Sequence, residues 1–301
     1  MAESLAEVGS AAAGLRVLVV GQGERAAARC AWYRAAGIEV LEGGPDDRQE
    51  LPSAALYDLC SEPAERQRAL RQLLRRRHAA VLVAGPLAAT AAAAAHLVAA
   101  ARRQRCRLAI MGGTRFVPAW ARLQEFVCGG IMGAVREVQV QVTSTPGQAA
   151  EAWSAAMNLG LWLAGDGVPV AEQTTPASTS FLAGSARIRV AGRTDGTAAA
   201  TTWHVTLVAD LGQAVAATVY DLGLPGRQCR DSSLEVTLGG RRRRLELPAA
   251  DPAGNELAAL LIRQGAGLPW LALCAADRAA SLLAVQEEGA RKVSVTPFEA
   301  S

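Results

Sequence analysis

The chain has 301 residues, half of them hydrophobic and a fifth charged, with a formal net charge of +3. That length allows two domains or one large α/β unit with a real core, and the composition places the chain among globular proteins, not disordered ones. The basic residues cluster only at Arg75 to Arg77 and Arg241 to Arg244, which read as solvated faces and leave no nucleic-acid footprint.

Lys292 is the sole lysine, which constrains any mechanism needing a buried amine. Six cysteines (Cys30, Cys60, Cys106, Cys128, Cys229, Cys274) show no CxxC spacing and read as reduced thiols of a cytoplasmic protein. The first fourteen residues lack a cationic start and a long apolar run, so a flexible tail is expected over 1–14, not a signal peptide. The apolar run AAAAAHLVAAA flows into Arg102, Arg103 and Arg105; it is too short to span a bilayer and suits a packed helix.

In chain order, GLRVLVVGQGERAAARCAWYRAAGIEVLE predicts a strand, a glycine turn, a helix and a second strand, a βαβ unit. PSAALYDLCSEP predicts a strand ending in a loop, AERQRALRQLLRRR a helix, AAVLVAG a strand, PLAATAAAAAHLVAAARRQR a helix and CRLAIMGG a strand. This alternation implies a parallel sheet with helices on both faces. It stops near Thr114. Beyond it come the helix PAWARLQEFVCGG, the strand REVQVQVTS, a helix around Ala150 to Leu163, and a series of alternating strands. Among these, TTWHVTLVADLGQAVAATVYDL and SLEVTLGGRRRRLELP read as antiparallel pairs. Two helices, NELAALLIRQG and CAADRAASLLAVQEEGA, close the chain. The expected fold is an α/β Rossmann-type nucleotide-binding domain over 15–115, followed by an α+β domain with a mostly antiparallel open sheet over 116–301.

The stretch Gly21-Gln22-Gly23-Glu24-Arg25-Ala26 has the form GxGxxA between a strand and a helix. Gly21 permits the tight turn, Gly23 lets the backbone approach a pyrophosphate, and Ala26 lets helix and strand pack closely, while the helix N-terminus favours phosphate charge. The bare alternative is a structural turn. Glu42 ends the second strand about 20 residues on, where a carboxylate bonds a ribose 2′-OH and repels a 2′-phosphate. NAD is therefore expected ahead of NADP. Three scattered histidines, His78, His96 and His204, make no metal site, and no nucleophile-elbow sequence supports a hydrolase triad.

Taken in order, GxGxxA, LCSEP, VLVAGPLAAT, TRFVPAWARLQEFVCGGIMGAVREV and the closing NELAALLIRQGAGLP…DRAASLLAVQEEGARKVSV resemble the Gfo/Idh/MocA family of NAD(P)-dependent oxidoreductases over nearly the whole chain. The resemblance implies that Ser61, Glu62 and Pro63 of the LCSEP loop, and Gly85 and Pro86 of the next strand-helix corner, join the glycine turn in holding NAD or NADP. It also implies a small-molecule substrate.

The family corner reads Glu-Lys-Pro; here it reads Ala84-Gly85-Pro86, with Gly85 in the lysine place. In WSAAMNLGLWLAG, Ala155 stands at the place of the family histidine, Glu151 at that of an aspartate and Asn158 at that of a second, while Gln67 takes another common histidine place. The lysine and histidine handle the proton of the substrate oxygen in the family. No catalytic residue is assigned here. The short segment between Glu42 and Leu56 predicts an abbreviated nucleotide domain. Three functional expectations stand: an oxidoreductase using other means of protonation, a pseudoenzyme acting as a ligand or cofactor sensor or partner subunit, and a structural dimer without cofactor. A homodimer is expected from the open sheet, with no nucleic-acid or membrane partner.

Overall fold

The computed structural model describes residues 2–43, 51–61, 63–111, 113–165, 167–175, 177–198, 200–222, 224–265 and 287. Contacts divide the chain into two units; 1–113, 224–227 and the helix that begins at Pro252 form the first, and 114–222 with 228–250 belong to the second.

The first unit opens with α1 (Ala2–Ala11), β1 (Arg16–Val20), α2 (Glu24–Ala35) and β2 (Glu39–Gly43). It continues through β3 (Leu56–Leu59), α3 (Pro63–Leu73), β4 (Ala80–Ala84), α4 (Ala91–Arg103) and β5 (Arg107–Met111). The five strands are parallel in the order β2-β1-β3-β4-β5. Strands β3 and β4 are buried along their whole length, as expected where helices cover both faces of a parallel sheet. The strand order reverses at β1, and in open α/β sheets the crevice at the carboxyl ends of the strands beside such a reversal is where ligands bind. No strand pairs with the outer edge of β2 among the described residues; residues 44–50 of the short segment after Glu42 lie outside them.

Two assignments differ from the sequence reading. The tail expected over 1–14 is not loose across its described residues 2–14: Leu5, Val8 and Ala12 fall on one helical face, and Val8 and Ala12 are buried in the core of this unit. They pack toward α7 (Pro252–Gly265), which belongs to the first unit and not to the second. The reason is its apolar stripe of Leu257, Ala258, Leu260 and Leu261, which joins Val17, Val19, Tyr33 and Leu56 in one core. Each such leucine contributes roughly 1.5–3 kcal/mol by leaving water.

The second unit begins with a 3-10 turn (Thr114–Phe116), α5 (Pro118–Cys128), β6 (Val135–Ser144) and α6 (Ala149–Leu163). Seven further strands follow: β7 (Pro169–Thr174), β8 (Ser178–Ala183), β9 (Ala186–Thr194), β10 (Thr202–Ala209), β11 (Gly212–Val219), β12 (Arg230–Leu238) and β13 (Arg241–Leu245). The sheet order is β13-β12-β11-β10-β6-β9-β8-β7, with only β6 and β9 parallel among its described pairs. The β12–β13 hairpin turns on Gly239 and Gly240, both at positive φ, the geometry a two-residue hairpin needs. Period-2 burial along β10 places Trp203, Val205 and Leu207 in a core shared with α5 and α6. The apolar side of the sheet is thus covered from within the chain. The opposite face carries Arg187 paired to Glu172 and Arg189 paired to Glu137. The second closing helix expected from the sequence, and Lys292, lie outside the described residues.

Candidate functional site

The glycine turn sits between the ends of β2 and β3. Gly21 N–H donates to the carbonyl of Gly43 at 3.3 Å, and Cys60 N–H donates to the carbonyl of Val20 at 2.8 Å. Gly21 has φ +142°, and a Cβ there would lie 2.6 Å from the Ser61 nitrogen and 2.8 Å from the Cys60 carbonyl carbon. That glycine lets two backbones touch. Gly23 differs: at φ +85° it caps α2, and among the described residues no side chain bonds the cap and a Cβ would meet nothing within 4 Å. The space before the helix N-terminus is open. The Ser61 hydroxyl, on a residue only 4% exposed, has no hydrogen-bond partner among the described residues.

The other proposed cofactor residues of this unit are distributed around the turn. Gln22 is exposed and Arg25 half-buried. Glu24, in the first turn of α2, pairs with Arg227, which arrives from the returning segment 224–227. Glu42 lies at the carboxyl end of β2, opposite Val19, with its carboxylate exposed and paired to Arg34 of α2. Glu62 and the Pro63 side chain lie outside the described residues. Gly85 and Pro86 follow β4, joined by a cis peptide.

That corner holds a cation the sequence reading missed. Arg66 of α3 is buried, and its Nη1 donates to the carbonyl oxygens of Ala84, of Gly85 at 3.1 Å and of Pro86 at 3.4 Å, while Nε reaches the Ser61 carbonyl at 3.2 Å. Its charge looked like one of many on a polar helix face. The signal available was its place among the leucines and alanine that α3 buries.

Beneath the turn lies a second unexpected group. Arg29 of α2 donates from Nη1 to Asp58 Oδ2 at 2.8 Å, with both side chains buried. The Tyr33 hydroxyl reaches the same oxygen at 2.8 Å, and Cys60 Sγ lies 3.5 Å from Oδ1. Burial, reinforced by the Asp58 charge, pushes the Tyr33 and Cys60 pKa values well up, so both groups stay protonated. Burial opposes the Arg29 charge, but Asp58 and its neighbours outweigh it, and Arg29 is held protonated. The legible sign was an aspartate inside the apolar strand LYDL, with Arg29 and Tyr33 one helical turn apart.

In the second unit, α6 buries Ala155 and Glu151. Asn158 Oδ1 accepts from Arg115 Nη2 at 2.9 Å, and the Arg115 guanidinium lies 5.1 Å from the centre of the Trp162 ring. Gln67 is half-buried on α3. Neither an amine at Gly85 nor an imidazole at Ala155 exists to move a proton. Among the described residues no cluster of metal-ligating side chains occurs, and no helix is long and apolar enough to cross a membrane.

No family model matches the chain, and no curated protein does. Solved structures do. An oxidoreductase from Bacillus cereus is 14% identical with a TM-score of 0.71, over 95% of this chain and 98% of that one. A dehydrogenase (MviM) from Clostridium difficile is 13% identical with a TM-score of 0.66, over 90% and 98%. An oxidoreductase from Agrobacterium radiobacter, solved with NAD+, L-tartaric acid and magnesium, is 11% identical with a TM-score of 0.68, over 94% and 96%. The chain therefore has the fold of two-part oxidoreductases, a Rossmann-like parallel sheet followed by a mostly antiparallel one. At these identities the likeness is one of fold.

Proposed function

We propose that the chain binds a nicotinamide dinucleotide on its first unit and acts as a divergent oxidoreductase of the Gfo/Idh/MocA kind on a small molecule, without a lysine–histidine pair. The observation that carries this reading is the open space at Gly23 before the uncapped N-terminus of α2. There, backbone N–H groups and the helix dipole favour a pyrophosphate. Ser61 offers a buried hydroxyl beside the same turn. A bound dinucleotide supplies the hydride donor or acceptor; the chain's part is to hold it and to set its surroundings. Glu42 supports NAD over NADP, because a carboxylate accepts from a 2′-OH and repels a 2′-phosphate.

The glycine at position 85 and alanine at position 155 favour a second reading, in which the dinucleotide is bound without turnover and the chain serves as a ligand or cofactor sensor or a partner subunit. A homodimer through the outer sheet face is part of both readings, supported by the exposure of Val170, Val208 and Val215 there; sedimentation at high concentration checks it. Calorimetric titration with NAD+, NADH, NADP+ and NADPH tests binding, followed by turnover assays on small hydroxy compounds. Binding of none of the four rejects both readings.

A further inference from the structure

The outer face of the second unit's sheet holds a cleft of about 460 Å³ at its β7 end, lined by Glu172 and Gln173 of β7, Ser178 and Ser180 of β8, and Arg187 and Arg189 of β9. That volume is in the range of small-molecule sites. A register shift between Ala171 and Gln173 breaks the alternation of β7, so two consecutive side chains, Glu172 and Gln173, lie outside the core and form one wall. Bulges re-aim side chains and are common beside active sites. Across the floor, Gln173, Ser180 and Arg189 stand opposite one another in register. The Gln173 amide and the Ser180 hydroxyl have no hydrogen-bond partner among the described residues. Arg187 gives Nε and Nη2 to the Glu172 carboxylate at 3.0 to 3.3 Å, and these two charges cancel. Arg189 meets one acid, Glu137, through Nη1 at 3.2 Å. A solvent-exposed ion pair is weak, and a guanidinium has five donors, so a ligand can share Arg189.

We propose that this cleft binds a small polyhydroxy carboxylate, with Arg189 holding the carboxylate and Ser180, Gln173 and Glu172 the hydroxyl groups. The planar guanidinium fork matches a carboxylate. Hydroxyl groups both donate and accept, which suits a lining of one hydroxyl, one amide and one carboxylate. Arg187 and Arg189 against Glu172 leave the lining one positive charge in excess. That suits a monoanion, and Glu172 disfavours a dianion such as a phosphate monoester. Every one of these residues belongs to the second unit, so the proposal stands whether or not the first unit binds a dinucleotide. Val208 and Val215 lie on β10 and β11, on the far side of β6 from the cleft.

The test is calorimetric titration of the full chain with gluconate, beside sorbitol, which lacks the charge, acetate, which lacks the hydroxyl groups, and inorganic phosphate. Gluconate is expected to bind about tenfold or more tightly than any of the other three. Arg189→Gln is expected to weaken gluconate binding about tenfold or more, the loss of a charge-assisted contact. Ser180→Val, which sets a branched apolar side chain on the floor, weakens it comparably. Neither residue is buried, so thermal unfolding of both variants stays close to that of the wild-type protein. Absence of gluconate binding at millimolar concentration overturns the proposal. So does equal or tighter binding of sorbitol, acetate or phosphate by the wild-type protein, or unchanged gluconate affinity in folded Arg189→Gln. If that variant fails to fold, Ser180→Val decides by the same criterion.

Discussion

Arg29 on α2 and Asp58 on β3 meet at 2.8 Å with neither side chain in contact with solvent. The pair ties the helix that follows the glycine turn to the strand that borders the ligand crevice. Removing one partner strips the other buried charge of this direct 2.8 Å ion pair. Asp58→Ala is therefore expected to cost about 3–5 kcal/mol, whereas Arg29→Met with Asp58→Leu, which removes both charges, costs much less. Urea unfolding of the two single variants and the double variant measures this coupling, and additive losses would contradict it.

The two glycines of the turn are expected to fail in different ways. Gly21→Ala drives a Cβ into the backbone of Ser61 and Cys60, so the first unit loses stability whether or not a ligand is present. Gly23→Val places its Cβ within 4 Å of no described atom. It costs roughly 1–3 kcal/mol of backbone strain at positive φ and fills the space a pyrophosphate needs. Thermal unfolding together with calorimetry separates these effects: the Gly23 variant folds and loses dinucleotide binding.

Glu42→Ala is expected to weaken NAD binding about tenfold or more, the loss of a charge-assisted hydrogen bond. It also releases Arg34 from its ion pair. A freed guanidinium beside the ribose site suits a 2′-phosphate, so NADP affinity rises as NAD affinity falls. Parallel titrations of the two cofactors check the crossing; equal NAD and NADP affinity in the parent protein removes the role assigned to Glu42.

Asp251 caps α7, accepting from Gly254 N–H at 2.9 Å and from Gly226 N–H at 2.6 Å. Burial raises its pKa above the ordinary 3.8, and the two N–H bonds only partly offset this. The folded protein thus holds the proton more tightly than the unfolded chain does. The resulting stabilisation is full below the ordinary carboxylate value and is lost as pH rises through the raised one. The stability of the wild-type protein relative to Asp251→Asn is expected to fall between pH 3 and neutrality, measured by urea unfolding across that range; a rising difference would contradict the assignment.

On the proposed reading, Gly85 and Ala155 stand where Gfo/Idh/MocA enzymes carry their proton-handling pair, and little or no oxidation of sugar or cyclitol alcohols is expected even when cofactor binds. General acid-base assistance is worth about 10²–10⁴ in rate, and Gly85→Lys alone does not restore it. Ala155 still leaves the second position empty, and Arg66 already crowds the corner with like charge. Nicotinamide absorbance reports turnover directly. Brisk turnover by the unmodified chain, with a bell-shaped pH profile near neutrality, would assign the proton transfer to another residue.

The glycine turn, the parallel strands and the hairpin at Gly239 and Gly240 were legible because each is written in local chemistry: β-branched runs, period-2 alternation, glycines where φ is positive. What escaped is non-local. Nothing in NELAALLIRQG says that its leucines seek the sheet at the start of the chain, and the weak stripe of Leu5, Val8 and Ala12 becomes a helix face only because α7 is there to cover it. Arg29, Asp58 and Arg66 were passed over for a related reason. A charge is read as exposed unless its partner is known, and Asp58 lies 29 residues from Arg29 while Ala84 lies 18 from Arg66.

The return of α7 to the first unit bears on how the chain comes to be folded as it is made. Residues up to 113 leave the ribosome about 140 residues before Pro252 does, roughly 7–28 s at ordinary rates of synthesis. Throughout that interval the apolar ridge of Val8, Val17, Tyr33 and Leu56 lacks its lid of leucines. The nascent chain is thus expected to need chaperones until its last sixth emerges, and the first 113 residues, expressed alone, are expected to aggregate.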